Sequence, residues 1–289
     1  MKVIDSDNYA ASGIETFFFP GGEPHARIPE NFGDALLFLK PRTWNDVGLA
    51  MCVLNALYYQ GHTKNRKVWL FCPYFPGARQ DRTDYRTPVT REMIGRMLGQ
   101  YVNNLYTFDL HSSVHFAGLR IKRNFMPRDL VIDPSPAPGD AYIIAPDHGA
   151  IGRAQDTADA AQIRNPVIVC EKTRDFATGK FTGFKMPPLP GPGSYVVIDD
   201  ICDGGGTFNL LAEEFVKDPY AKDSELALWV SHGIFSKGLN AIHPKYELIM
   251  TTDSWQRNDI TGTVHDPNRL YVVSLQPVID KILKDAENV

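Results

Sequence analysis

The stretch YVVIDDICDGGGTFNLLAEEF, residues 195–215, decides the fold of this chain. Its first four residues are apolar, which is typical of a strand buried on both faces of a parallel sheet. Asp199 and Asp200 end that strand. A helix is expected over 206–216, beginning at the last of three consecutive glycines. Ligands of open α/β sheets bind beyond the carboxyl ends of the strands, so we expect a binding loop between this strand and this helix.

The loop DGGGT, residues 203–207, has the chemistry of a phosphate site. Its glycines permit positive φ angles and close approach of the backbone to a ligand. Backbone N–H groups at the helix start, together with the Thr207 hydroxyl, form a cradle for an anion. The paired acids Asp199 and Asp200 suit ribose hydroxyls or Mg²⁺. A glycine-rich turn with solvated acids is the alternative, but the order of strand, acids, glycines, threonine and helix favours a binding loop.

Outward from this stretch, short apolar runs alternate with amphipathic stretches along the whole chain, which predicts parallel sheets covered by helices on both faces. The length fits two such α/β domains, over 1–135 and 136–289, with the Pro-rich stretch DPSPAPGD at 133–140 between them. Strands are expected at 35–39, 68–72, 105–110, 142–147, 166–170, 195–201, 225–233, 246–251 and 269–275, and helices over 45–59, 90–102, 150–163, 206–216 and 277–285.

Composition excludes several classes of protein. The chain has 289 residues with 30 Lys and Arg against 34 Asp and Glu, a net charge of −4 that argues against a broad nucleic-acid surface. No apolar run approaches the roughly 20 residues of a membrane span, and the N-terminus has no apolar core of a secretory signal. The four cysteines have no CxxC spacing, which predicts reduced thiols in a cytoplasmic protein rather than zinc ligands or disulfides.

Polar side chains that follow other strands suggest a nucleotide site. Arg79 and Gln80, beside Asp81, offer a cation for a triphosphate and a donor–acceptor pair for adenine, although an exposed charged turn is the alternative. His111 follows the strand at 105–110, where a neutral imidazole can bind a metal or donate to a phosphate. Asp147 ends a strand at the same sheet edge as the acid pair. Three other histidines are interpreted as structural: His115, His148 and His232.

Lys172 and Arg174 follow the strand at 166–170 and open a long loop that includes the Pro- and Gly-rich residues 185–194. Two mobile cations could close over a transferring phosphoryl group and neutralise its charge in the transition state. A surface run of salt-bridging residues, EKTR, is the alternative interpretation.

Taken together, these motifs resemble those of a known family. The segment VVIDDICDGGGT, 196–207, looks like the phosphoribosyl pyrophosphate (PRPP) motif that type I phosphoribosyltransferases and PRPP synthetases share. Further segments resemble the synthetase, also called ribose-phosphate diphosphokinase, in family order. They are FPGGEPHARI at 19–28, PYFPGARQDR at 73–82, DLHSS at 109–113, APDHGAIGRA at 145–154 and SHGIFS at 231–236.

The resemblance implies two phosphoribosyltransferase-like domains and a cytoplasmic homo-oligomer, a dimer or a hexamer, that uses ATP with Mg²⁺. It implies transfer of diphosphate from ATP to the anomeric hydroxyl of ribose 5-phosphate, with AMP as the leaving group. The implied ATP-binding residues are Phe19, Glu23, Arg79, Gln80, Asp81 and His111; the metal ligands are His111 and Asp147; the catalytic residues are Lys172 and Arg174; and the ribose-phosphate loop comprises Asp199, Asp200, Asp203, Gly204, Gly205, Gly206 and Thr207.

Three departures from the family pattern matter. The usual first strand and helix are expected to be shortened or missing before Phe19. Gly21 stands where the family usually has Asp or Asn, so that Glu23 is expected to take over more of the adenine contact. Gly204 stands where the family usually has Thr, which removes a hydroxyl for a terminal 5-phosphate and opens space there.

These departures leave two acceptors open, ribose 5-phosphate and ADP-ribose, the second of which a phage-encoded branch of the family is thought to use in NAD synthesis. Two other classes of protein also remain. A type I phosphoribosyltransferase should lack the Arg79–Gln80 and His111 segments. An inactive regulatory relative of the synthetases should have lost the loop cations or the acid pair, and all four residues are present.

Overall fold

The structure is a computed structural model that describes residues 1–62, 66–81, 86–112, 121–130, 140–174, 181–255 and 270–287. For residues 62, 173, 174, 181 and 182 it describes the backbone alone. No helix within these ranges is both long enough and apolar enough to cross a membrane.

The described residues form two compact units, Met1–Phe125 with Gln276–Val289, and Met126–Leu275. The expected domain boundary at 135/136 falls in 131–139, outside the described residues, whereas the first unit ends earlier, at Phe125. The residues after Phe125 belong with the second unit because they pack on its first helix, where Arg128 pairs with Asp156 at 2.7 Å. The C-terminal helix was expected in the second domain, but it groups with the first unit.

The first unit contains a five-stranded, all-parallel sheet in the order β1-β4-β5-β6-β7. The strands β4 and β5 are buried along their whole length, which explains their continuous apolar sequences. An antiparallel hairpin, β2–β3, forms a separate two-stranded sheet. The elements of this unit are β1 (Lys2–Asp5), β2 (Glu15–Phe18), β3 (Pro24–Arg27), β4 (Ala35–Phe38), β5 (Val68–Phe71), β6 (Asn104–Phe108), β7 (Ile121–Phe125), α1 (Trp44–His62), α2 (Thr90–Gly99) and α5 (Gln276–Glu287).

The second unit contains a six-stranded, all-parallel sheet in the order β15-β14-β13-β12-β8-β9, together with an antiparallel hairpin, β10–β11. Its elements are β8 (Tyr142–Ala145), β9 (Ile168–Val169), β10 (Glu171–Arg174), β11 (Phe181–Lys185), β12 (Ser194–Cys202), β13 (Glu225–Gly233), β14 (Tyr246–Thr252), β15 (Leu270–Val273), α3 (Ile151–Ala160) and α4 (Gly206–Phe215).

Helices cover both faces of this second sheet. Val197 on β12 belongs to the apolar cluster that contains α4, whereas its neighbours Val196 and Ile198 belong to the cluster that contains α3. Successive side chains of a strand point to opposite faces, so the apolar run of β12 fills both cores. The predicted fold class of two α/β domains with parallel sheets is confirmed.

Two local expectations differ from the structure. The first strand is present as β1, paired in parallel with β4, and a 3₁₀ turn at Tyr9–Ser12 follows it. Lys172 and Arg174 were expected to open a loop, but they lie in β10, which pairs with β11. Three of the four residues of EKTR are charged and its partner strand has no continuous apolar run, so no hydrophobic pattern indicated this short hairpin.

Candidate active site

The carboxyl ends of β8 and β12 lie side by side, because these strands are neighbours in the second sheet. Asp147 follows β8 and caps the 3₁₀ turn before α3. Its Oδ1 accepts hydrogen bonds from the backbone N–H groups of Gly149 and Ala150, at 2.9 and 3.2 Å. The sequence Pro-Asp-His-Gly therefore fixes one carboxylate oxygen at the helix start.

The second oxygen of Asp147 holds Lys172. The distance from Lys172 Nζ to Asp147 Oδ2 is 2.6 Å, and the lysine side chain is only 10% exposed. Burial would raise the pKa of Asp147, but the Lys172 hydrogen bond and charge and the two backbone donors lower it below its ordinary value. The structure thus joins the predicted catalytic lysine to the predicted metal ligand.

A second charged cluster surrounds the acid pair at the end of β12. Arg153 of α3 lies 3.3 Å from Asp199 Oδ1 through one guanidinium nitrogen and 3.6 Å from Asp200 Oδ2 through the other. All three side chains are largely buried, at 10%, 15% and 6% exposure. One cation therefore lies between two carboxylates that water screens poorly.

Burial and the charge of Asp200 raise the pKa of Asp199 well above its ordinary range, although Arg153 opposes them. A polar ligand with several hydroxyl groups can donate hydrogen bonds to such a pair and thereby stabilise its ionised form. Vicinal ribose hydroxyls have this chemistry.

The glycine loop connects β12 to α4 in a conformation that requires glycine at its centre. Gly205 has φ +77°, in the left-handed region, and a Cβ there would overlap the Cδ1 of Ile242. No side chain caps the start of α4, so the loop presents backbone N–H groups at the positive end of a helix. Thr207 lies in the first turn of α4, half-buried.

A segment after β13 packs on this loop and holds it in place. The Asn209 side chain donates to the carbonyl of Ala241 at 2.7 Å and accepts from the backbone N–H of His243 at 2.9 Å. The backbone N–H of Ser236 donates to the carbonyl of Asp203 at 3.2 Å. The SHGIFS segment therefore supports the loop, while His232 within it is buried and bonded to Ser254.

In the first unit, two of the predicted nucleotide-binding segments are tied together. The Ser112 hydroxyl donates to Asp81 Oδ2 at 2.5 Å, and the buried Arg91 donates to the Ser112 hydroxyl at 2.7 Å. Burial would raise the pKa of Asp81, but the Ser112 bond and the charges of Arg91 and His111 lower it. Asp81 therefore positions the turn that carries Arg79 and Gln80.

Arg79 and Gln80 are themselves exposed, as is His111, at the carboxyl edge of the first sheet. Their turn is tight because Gly77 has φ +73°, and a Cβ there would lie 2.8 Å from the backbone nitrogen of Arg91. The predicted ATP-binding side chains thus stand in solvent on a turn that is anchored from behind.

The other predicted nucleotide segment forms the tip of the β2–β3 hairpin. Phe19 is 47% exposed, its ring lies 5.3 Å from that of Phe17, and its backbone N–H donates to the Glu23 carbonyl at 2.9 Å. The Glu23 carboxylate lies 2.9 Å from the position that a Cβ of Gly21 would take. Glu23 therefore occupies the room that a side chain at position 21 would need.

The structure brings together Asp147 with Lys172, Asp199 with Asp200, and Asp81 with His111. It does not describe the side chain of Arg174. Within the described ranges, no group of three or more His, Cys, Asp or Glu side chains is arranged as a metal site.

Sequence reasoning missed Arg153, Arg91 and Asn209. Arg91 had a detectable signal, because it lies on the buried stripe of α2 with Ile94, Gly95 and Leu98, where a cation needs a partner. Arg153 stands inside APDHGAIGRA, but its bridging of two carboxylates on another strand depends on tertiary structure.

Comparisons with known proteins identify the relatives of this chain. Ribose-phosphate pyrophosphokinases from Pyrococcus abyssi and Pyrococcus furiosus are 28% and 29% identical over 235 residues, 78% of this chain and 78% and 80% of theirs. That from Sulfurisphaera tokodaii is 24% identical over 276 residues, 92% of this chain and 90% of the relative. The chain is similar in sequence to ribose-phosphate pyrophosphokinases over most of its length. No family model matches it.

The fold of this chain has a counterpart among solved structures. The crystal structure of phosphoribosylpyrophosphate synthetase from Mycobacterium smegmatis matches with a TM-score of 0.74 at 18% identity, over 100% of both chains. At this identity the likeness concerns the fold, and it extends over both α/β units.

Proposed function

We propose that the chain is a diphosphokinase that transfers the β,γ-diphosphoryl group of Mg-ATP to the anomeric hydroxyl of ribose 5-phosphate, giving PRPP and AMP. The names of its relatives support this reaction class. The observation that carries the proposal is the buried acid pair of β12 followed at once by the glycine loop and the uncapped start of α4.

On the acceptor side, Asp199 and Asp200 accept hydrogen bonds from the ribose hydroxyls. The loop from Asp203 to Thr207 binds the 5-phosphate through backbone N–H groups and the Thr207 hydroxyl. Arg153 acts as a positioning residue, because its guanidinium contacts both carboxylates and opposes the effect of burial on their ionised forms.

On the donor side, Arg79 and Gln80 bind the nucleotide, with Asp81 fixing their turn. Phe19 offers a ring for stacking on adenine, and Glu23 accepts from its amino group. His111 donates to a phosphate, a role that suits imidazole better than binding Mg²⁺, which prefers oxygen ligands.

In the transfer step the anomeric oxygen bonds to the β-phosphorus, the bond to the bridging oxygen of AMP breaks, and the hydroxyl proton is released. We assign no general base. Lys172 and Arg174 neutralise the charge of the transferring group. Mg²⁺, when bound, supplies the same kind of neutralisation through phosphate oxygens.

The carboxylate chemistry of Asp147 fits such an ion, since Mg²⁺ usually takes one or two carboxylates and completes its shell with phosphates and water. Its Oδ2 bonds Lys172 in this structure, so release of the lysine toward the diphosphate would free that oxygen for the metal. One movement of Lys172 would therefore serve both groups.

ADP-ribose is a second candidate acceptor, favoured by one observation. The atoms nearest to a Cβ at Gly204 would belong to the flexible stem of Lys237, and a Cβ at Gly206 would meet no described atom within 4 Å outside its chain neighbours and its own helix backbone. The loop is thus bordered at Gly204 by a movable lysine stem, which suits a 5-phosphate that continues into a second phosphate. The family resemblance also supports a cytoplasmic homo-oligomer, a dimer or a hexamer.

A product assay by mass spectrometry tests the proposal, with Mg-ATP and either ribose 5-phosphate or ADP-ribose in separate reactions. PRPP with AMP in the first reaction supports an ordinary synthetase, and diphosphorylated ADP-ribose with AMP in the second supports the alternative acceptor. If neither reaction releases AMP while both substrates bind, the chain is a regulatory relative, and the proposed activity is wrong.

A further inference from the structure

Lys237 lies at the phosphate loop, on a tight turn that follows β13. The turn is closed by a hydrogen bond from the Gly238 N–H to the Phe235 carbonyl at 2.8 Å, and Phe235 has the positive φ of +46°. The next backbone group, the N–H of Ser236, donates to the carbonyl of Asp203. The backbone turn that carries Lys237 is therefore closed by one hydrogen bond and joined to the phosphate loop by the other.

The stem of Lys237 lies against the place that a side chain at residue 204 would take. Its Cε, Cδ and Cγ atoms lie 3.3, 3.5 and 3.8 Å from the position that a Cβ of Gly204 would take. The ammonium nitrogen is one bond, about 1.5 Å, beyond Cε. The side chain of Lys237 thus passes directly beside the first glycine of the loop.

The cation is available to a ligand. Lys237 is exposed, and among the residues that the structure describes no carboxylate forms an ion pair with its ammonium group. The segment beneath it is held by Asn209, whose side chain bonds Ala241 and His243. A flexible charged arm therefore stands on a fixed base beside the anion cradle.

We infer that Lys237 determines acceptor specificity: its ammonium binds a phosphate beyond the 5-phosphate and thereby lets the loop accept a ribose that ends in a diphosphate ester. This inference rests on the proposed function. A short hydroxyl at residue 204 could donate one hydrogen bond to a terminal phosphate held in the cradle. An ammonium group on a four-carbon stem has three donors and a full charge, and its flexible stem gives it a longer reach than a short hydroxyl has.

The experiment compares Lys237→Met, which keeps the stem and removes the charge, with Lys237→Arg, which keeps a cation. Lys222→Met is the matched control, because Lys222 is an exposed lysine of the same unit that precedes β13, at the opposite edge of the sheet. Two readouts are measured for ADP-ribose and for ribose 5-phosphate: KM and kcat at saturating Mg-ATP, and Kd by calorimetry without ATP.

Loss of one charge-assisted contact should raise KM and Kd for ADP-ribose about tenfold or more in Lys237→Met. Ribose 5-phosphate should be affected about threefold or less, and kcat and the KM for ATP should not change. Lys237→Arg should restore most of the affinity, and Lys222→Met should match the unaltered chain. Gly204→Thr, which displaces the stem, should shift the preference toward ribose 5-phosphate.

The outcomes separate this inference from the proposed function. Equal effects of Lys237→Met on the two acceptors, or no effect on either, overturn the inference even if the enzyme is active. So does an active enzyme that neither binds nor uses ADP-ribose. An unaltered chain that turns over neither acceptor refutes the proposed function, whereas a selective loss of ADP-ribose binding in Lys237→Met would still support the inference.

Discussion

Three adjacent glycines of the phosphate loop should respond very differently to alanine. At Gly205 the left-handed φ of +77° costs a non-glycine residue about 1–2 kcal/mol. The added Cβ would also lie about 1 Å inside the ~3.5 Å separation of carbon atoms in contact with Ile242, and such overpacking costs about 1–3 kcal/mol. We therefore expect Gly205→Ala to reduce the free energy of unfolding of the second unit by about 2–5 kcal/mol.

The neighbouring glycines serve as matched controls. The atoms nearest to the added Cβ of Gly204→Ala belong to the flexible stem of Lys237, so its effect should stay within about 0.5 kcal/mol. Gly206→Ala meets no described atom within 4 Å outside its chain neighbours and its own helix backbone and begins α4, so it should stabilise by about 0.5–1 kcal/mol.

A double-mutant cycle isolates the steric part of the Gly205 effect. Ile242→Val deletes the overlapping Cδ1 and alone should cost about 0.5–1.5 kcal/mol. Combined with Gly205→Ala it should recover about 1–3 kcal/mol, which leaves the backbone strain of about 1–2 kcal/mol.

Because the chain has two units, a single melting temperature is a poor measure of this effect. Hydrogen exchange of peptides across β12 and α4 reports the second unit directly, and urea unfolding followed by circular dichroism gives the total. Equal losses at all three glycines, or a double variant as unstable as Gly205→Ala, would refute the steric explanation.

Two further predictions concern the charged side chains of the site. Lys172→Met should lower kcat by about a hundredfold or more while the KM for ATP changes little, because the cation acts on the transferring group; unchanged turnover in steady-state assays would remove Lys172 from the mechanism. Asp199→Asn should stabilise the second unit, because burial and Asp200 raise the pKa of Asp199 in the folded chain. At pH values above the unfolded pKa of about 4, folding must therefore bind a proton at Asp199, and this cost is absent in the variant. The difference between variant and unaltered chain should therefore widen as pH rises from about 4 through neutrality, by at most ~1.4 kcal/mol per pH unit, and a difference that is constant over pH 5–8 in urea titrations would contradict it.

Much of the fold could be predicted from periodicity because the decisive strands are buried on both faces. The runs at β4, β5, β12 and β13 are continuous and apolar, and each is followed by a helix or a turn. The missed elements include the short edge strands β1 and β7 of the five-stranded sheet and the β2–β3 and β10–β11 hairpins, which lie outside the main sheets. Their strands are stabilised by pairing with each other, which no single-strand pattern reveals.

The site was predictable where its chemistry is contiguous and not where it depends on packing. The acid pair and the glycines stand within nine residues, so the loop could be located from the order of residues alone. Arg153 and Lys237 reach it from other elements, 46 residues from Asp199 in the first case, and only the sheet order brings them there. The contact of Lys172 with Asp147 has the same origin.

The grouping of α5 with Met1–Phe125 makes the first unit discontinuous in sequence, while Met126–Leu275 is an uninterrupted segment. Domains tend to fold as units during synthesis, in the order in which they become complete. The uninterrupted second unit therefore emerges whole from the ribosome before the first unit does, because the first unit also includes α5. Premature termination ahead of α5 would thus leave a second unit with all of its own strands and a first unit without α5.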